Sequence, residues 1–237
     1  MIFSKGRRES GRHAQGDQRG PVVAEESVAV PERGPYDIAD APDDVKRLDL
    51  GSLHIPAVPE VEVRMQTDPN GTIQQVVLVH GESALQLGAF AAPRSEGVWD
   101  DVRADLLASL GEQGATTSEV DGAYGVELRA TVRSDDGPVE LRFLGIDGPR
   151  WMVRAVYQGR VATDPTAAGP LARALENLAV DRGEEPRPVL EPLPLRLPKE
   201  FADQVERERA AGGAPVDGVL SGQQHPHRAE PGPPGSR

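Results

Sequence analysis

Three neighbouring segments, residues 124–132, 139–145 and 151–157, each place an apolar residue at every second position. That period belongs to a strand with one face buried, not to a helix, whose apolar positions recur every three to four residues. The connections between these segments are short. Parallel strands need crossovers of a dozen residues or more, so the pairing is expected to be antiparallel and a doubly wound α/β sheet is excluded.

The rest of the middle extends the pattern. Val61, Val63 and Met65 alternate with Glu62, Arg64 and Gln66, and Asp68-Pro69-Asn70-Gly71 carries the residues of a tight turn. Residues 73–80 and 85–91 then complete a three-stranded meander. Between the two strand blocks, Trp99, Val102, Leu106 and Leu110 fall on one side of a helix. Ser95 is expected to cap it, Glu96, Asp100 and Asp101 suit its positive end, and Gly111 or Gly114 ends it. A second helix is predicted from Gly169-Pro170, since proline is tolerated in a first turn. Leu171, Leu175 and Leu178 line it, and Val180 opens a last short strand. The expected fold class is therefore α+β: a mainly antiparallel sheet of six to eight strands with two helices on one face. Residues 48–198 form the single domain, residues 1–47 a mostly disordered charged arm, and residues 199–237 a mostly disordered Pro/Gly-rich tail with at most a transient helix at Phe201 and Val205.

Four motifs occur in order: Gly34-Pro35-Tyr36-Asp37, the run from Arg47 to Leu53, the run from Ala89 to Trp99, and Asp147-Gly148-Pro149-Arg150-Trp151. Together they resemble the actinobacterial proteins of the domain-of-unknown-function 3710 family, over about residues 34–198. The resemblance implies an intracellular protein of a GC-rich bacterium, and arginine outnumbering the three lysines (Lys5, Lys46 and Lys199) agrees with it. It carries no assigned activity, so no catalytic residue is transferred.

Charge and composition narrow the function classes. The net charge of −12 opposes general nucleic-acid binding, leaving only the basic N-terminal arm with Arg7, Arg8 and Arg12 as a possible contact. The chain holds no cysteine, which removes disulfides and thiolate chemistry and fits a reducing cytoplasm. No signal peptide and no apolar run of membrane-spanning length is readable. His54 and His80 match no metal-ligand spacing, the Gly-Glu-Ser-Ala run at residue 81 lacks the Gly-x-Ser-x-Gly elbow, and Asp121, Glu127 and Glu140 read as members of cross-strand ion pairs. No cofactor and no catalytic residue is indicated.

Parity supplies the remaining candidates. If an odd loop, Asp147-Gly148-Pro149, joins the last two strands, Val139, Leu141 and Phe143 share a face with Trp151, Val153, Ala155 and Tyr157. The opposite face then holds Arg142, Leu144, Ile146, Arg150, Met152, Arg154 and Val156, too apolar to be solvated. Its expected covers are a terminal segment (34–55 or 186–198), a second copy or partner protein, or a small ligand. Arg94 and Glu96, where a strand meets the helix, offer free amides and a guanidinium to an anion. The first reading is thus a non-enzymatic cytoplasmic protein-interaction domain acting through an Arg/apolar sheet face. The second is a binder of, or enzyme for, a small anionic metabolite near Arg94, Arg150 and Arg154.

Overall fold

A computed structural model describes residues 33–68 and 72–198, together with the strand Val219–Leu220. Strands β1 (Tyr36–Asp37), β2 (Arg47–Asp49) and β3 (Leu53–Pro56) precede a meander of β4 (Glu62–Thr67), β5 (Ile73–His80) and β6 (Ser83–Ala91). Helix α1 (Trp99–Glu112) leads into β7 (Thr116–Gly122), β8 (Gly125–Ser134), β9 (Gly137–Gly148) and β10 (Trp151–Gln158). Then come α2 (Arg160–Thr163), a 3-10 turn, α3 (Gly169–Glu176), β11 (Ala179–Val180) and β12 (Val219–Leu220). The main sheet is antiparallel throughout, in the order β12-β4-β5-β6-β10-β9-β8-β7. A smaller sheet, β1-β11-β3-β2, contains the one parallel pair among the described residues, β1 with β11. The fold is α+β. The arm and tail expected over residues 1–32 and 199–237, apart from Val219–Leu220, lie outside the described residues.

The turn between β9 and β10 corrects the expected parity. Gly148 pairs with Trp151, so the loop is the two residues Pro149 and Arg150, with Arg150 at φ 65 in the left-handed region. A two-residue loop puts Leu144, Ile146, Trp151, Val153, Ala155 and Tyr157 on one face, here called the inner face. Phe143 and Leu141 move to the outer face with Met152, Arg154 and Val156. A side chain at residue 148 would overlap the Trp151 ring, so the pairing depends on glycine there.

The helices divide between the two faces instead of sharing one. Leu171, Ala174 and Leu175 of α3 join Leu53, Ile55 and Val180 of the small sheet on the inner face, around Leu78, Leu87, Val153 and Tyr157. Trp99 and Leu110 of α1 pack on the outer face with Leu128, Ala130, Phe143 and Val156. Both terminal segments expected as covers pack on the inner face, and the second also reaches the outer one at Leu190 and Pro192. Residues upstream of the expected boundary at Leu48 are packed: the Gly34 N–H donates to Glu176 O and Arg33 stacks on the Tyr124 ring. Residues 190–196 form a strap: Leu193 N–H donates to Ala89 O on β6, Arg196 N–H to Leu50 O, and Leu193 is buried. The strap thereby stitches the small sheet to the large one.

Helix α1 is not capped by Ser95. Its N-cap is Val98, and the carboxylate of Asp147, from β9, accepts hydrogen bonds from the Val98 and Trp99 amides at 2.9 and 3.3 Å. Gly114, at φ 74, ends the helix as expected. Strand β7 has no sequence signal because it is an edge strand, with only Thr117 and Val120 partly covered among Thr116–Gly122.

A candidate binding trough on the outer sheet face

The outer face is closed only in part. Helix α1 covers it over β8, β9 and β10, while across β4, β5 and β6 it presents Arg64, Gln66, Gln75, Val77, Gln86, Gly88 and Phe90. Three openings run along this face. The largest, about 870 Å³, lies over Val77, Val79, Ala84 and Gln86 beside the β8–β9 hairpin tip at Pro138. It shares Gln86 with a second, about 200 Å³, which reaches the strap at Pro192 and Leu195. That one shares Phe90 and Arg154 with a third, about 300 Å³, walled by Val102 and Leu106 of α1 and by Leu190 of the strap. The result is a continuous trough with a sheet floor.

Arg154 is its centre. Its two cross-strand neighbours are Gly88 and Gly145, so no side chain stands beside it in its row. The Trp99 ring fills the space over Gly145, and the Phe90 ring lies over Gly88. The guanidinium stacks on Phe90, 5.1 Å from the ring centroid. Among the described residues no carboxylate forms an ion pair with it, and Asp105 lines the same cavity. Burial pulls its pKa below the ordinary arginine value, the signature of a charge without compensating anion. At the rim, Leu190 adopts φ 64, a conformation that costs a branched residue energy, and it and Val189 remain exposed. Leu107 of α1 is exposed on the other side.

The remaining sequence candidates separate. Arg142 lies on the inner face, buried and stacked 4.5 Å from the Tyr157 ring, on the opposite side of the sheet from Arg154. Met152 is buried and lines the third opening beside Arg154. Arg150 acts through its backbone: its carbonyl accepts from Ala92 N–H at 2.9 Å and from Arg182 Nε at 3.3 Å. Arg94 and Glu96 are exposed in the β6–α1 loop. The amides they were expected to offer an anion are already held by Asp147.

Residues 34–204 match a family described as a protein of unknown function, DUF3710. The chain belongs to this family. No curated protein and no solved structure matches it. The DUF3710 match begins at Gly34, whose N–H donates to Glu176 O at the end of α3. Within the DUF3710 domain, Phe90, Gln86 and Leu190 were missed as trough residues. Phe90 stands out of phase with the buried positions of β6, which is a readable signal. Leu190 follows a proline-rich run with no period and gives none. Among the described residues of this DUF3710 chain no group of His, Asp and Glu could hold a metal ion, and no helix is long and apolar enough to cross a membrane.

Proposed function

We propose that this chain is a non-enzymatic, cytoplasmic protein-interaction domain whose contact surface is the outer-face trough. The observation that carries the reading is Arg154: a half-buried guanidinium with no carboxylate partner among the described residues, set between apolar walls. An unpaired charge in such a place is costly, and a partner carboxylate that arrives in bidentate geometry recovers the cost through charge-assisted hydrogen bonds. Arginine and aromatic anchors surrounded by water-excluding apolar contacts are the usual centre of a protein interface. The exposed Leu107, Val189 and Leu190 extend the apolar surface past the cavity itself, which favours a polypeptide over a small molecule. The fitting partner segment is extended, with an acidic side chain for Arg154 and an apolar one for the Phe90–Leu190 cavity.

The test is affinity capture with the full chain from lysate of the cells that make it, beside Arg154→Gln and Leu190→Asp. A stoichiometric partner retained by the wild type and lost by both variants, with unchanged circular dichroism, supports the reading. Pairing of the chain with itself, lost in both variants by analytical ultracentrifugation, supports a second copy as that partner. A monomer from which both variants capture the same set as the wild type overturns it.

A further inference from the structure

On the opposite face, strand register lines up Ser118, Arg129, Arg142 and Tyr157 in a single row across β7, β8, β9 and β10. Arg129 and Arg142 stand directly opposite each other. Like charges in that relation repel, and a sheet normally avoids them or interposes a carboxylate. Here the Nε atoms of both arginines are buried without a hydrogen-bond partner. Arg142 is only 5% exposed, so its guanidinium has little water to compensate it. Glu127 forms a buried ion pair with Arg142, its Oε2 3.7 Å from Arg142 Nε, a separation too long for a hydrogen bond. Glu127 is seated close to Gly122, where any Cβ would overlap it.

The other charges facing the row do not supply the missing anion. Glu140 accepts from Thr131 Oγ1 at 2.9 and 3.0 Å, and Arg133 adds positive charge further along β8. Glu176 of α3 acts on Tyr124 and Tyr157. The two guanidiniums of the row thus share one buried carboxylate, Glu127, which stands opposite Val120 outside the row.

We infer that Arg129 and Arg142 together form an oxyanion-binding site, for a carboxylate or phosphate group, on the inner face of the β7–β9 half of the sheet. Two adjacent planar forks match the oxygens of such a group, and the stacked Tyr157 ring holds Arg142 in place. The open end of the row is the entry, where Ser118 is exposed and Arg129 half-buried, and the Ser118 hydroxyl is a further donor there. This site is independent of the trough, since it uses the other face of the sheet.

Thermal unfolding of the full chain in inorganic phosphate, in acetate, and in sodium chloride at matched ionic strength tests the site. The wild type is expected to gain melting temperature in phosphate or acetate over chloride, saturating with concentration. The larger response identifies the group as phosphoryl or carboxyl. Arg129→Gln should lose that gain while melting in chloride at or above the wild-type temperature, because the like-charge pair is gone. If Arg129→Gln does not fold, Ser118→Asp, which puts a carboxylate at the open end, should abolish the gain instead. Equal behaviour in all three salts, or the same gain in wild type and variant, overturns the inference.

Discussion

The inner and outer faces of the main sheet are built from the same strands and closed to different degrees. On β10, Trp151, Val153, Ala155 and Tyr157 are at most 2% exposed and belong to an inner cluster of 22 buried residues drawn from both sheets and α3. On its other side, Val156 belongs to an outer cluster of six, and the next residue inward, Arg154, is a half-buried charge. Over β5, β6 and β10 the inner face is closed by the small sheet, α2, α3 and the strap. The outer face has one helix, held at its first turn by Asp147 from the sheet. Burial of apolar area is the dominant favourable term in folding, so the inner cluster is where this fold gets its stability. The outer face, with less to lose, is the side that can be left open for contact.

The largest effect should come from opening the inner cluster. Trp151→Ala removes a side chain that is 1% exposed and whose Nε1–H donates to Asp37 Oδ2 at 3.1 Å, tying the small sheet to the large. A loss of about 3–5 kcal/mol in denaturant unfolding is expected. A loss below that of any outer-face variant would erase the distinction between the faces.

Gly145→Ala probes the outer cluster alone. A methyl there overlaps the Trp99 ring, so α1 must shift. Overpacking of this kind costs about 1–3 kcal/mol. Hydrogen exchange should accelerate in α1 while β5, β6 and α3 keep their protection; uniform acceleration would mean that the two clusters unfold as one.

The smallest effect concerns the strap. Burial raises the pKa of Asp49, but the Gly51 amide, the Arg196 guanidinium and His54 outweigh it and leave the pKa below its ordinary value. A depressed carboxylate pKa contributes stability above the unfolded pKa that is lost as pH falls through the folded one. Asp49→Asn should therefore melt slightly below the wild type at neutral pH, with the gap closing under strongly acidic conditions. A gap that persists in acid would show that the Asp49–Arg196 contact at 2.8 Å does not act through charge.

Much of the architecture was legible because it is local. The meander of β4, β5 and β6 follows from alternation and turn residues, and α1 and α3 from helical spacing and glycine or proline at their ends. Edge strand β7 was silent, since a strand with little buried area need not alternate. Arg154 was legible as a candidate because it interrupts an apolar strand. Its separation from Arg142 was not, because one residue of loop length exchanges the two faces.

The alternation of residues 124–157, read alone, determined that these are strands of an antiparallel sheet, since a period of two belongs to the backbone itself. Which face each side chain occupies was decided by tertiary fit. The Trp151 ring lies over Gly148, where a Cβ would overlap it, and Trp99 lies over Gly145. Those two contacts set the register of β9 against β10 and the seat of α1, and they join residues whose sequence positions carry no mark of the partner. Backbone periodicity is a property of neighbours along the chain, whereas steric exclusion between rings and glycines exists only once distant segments meet.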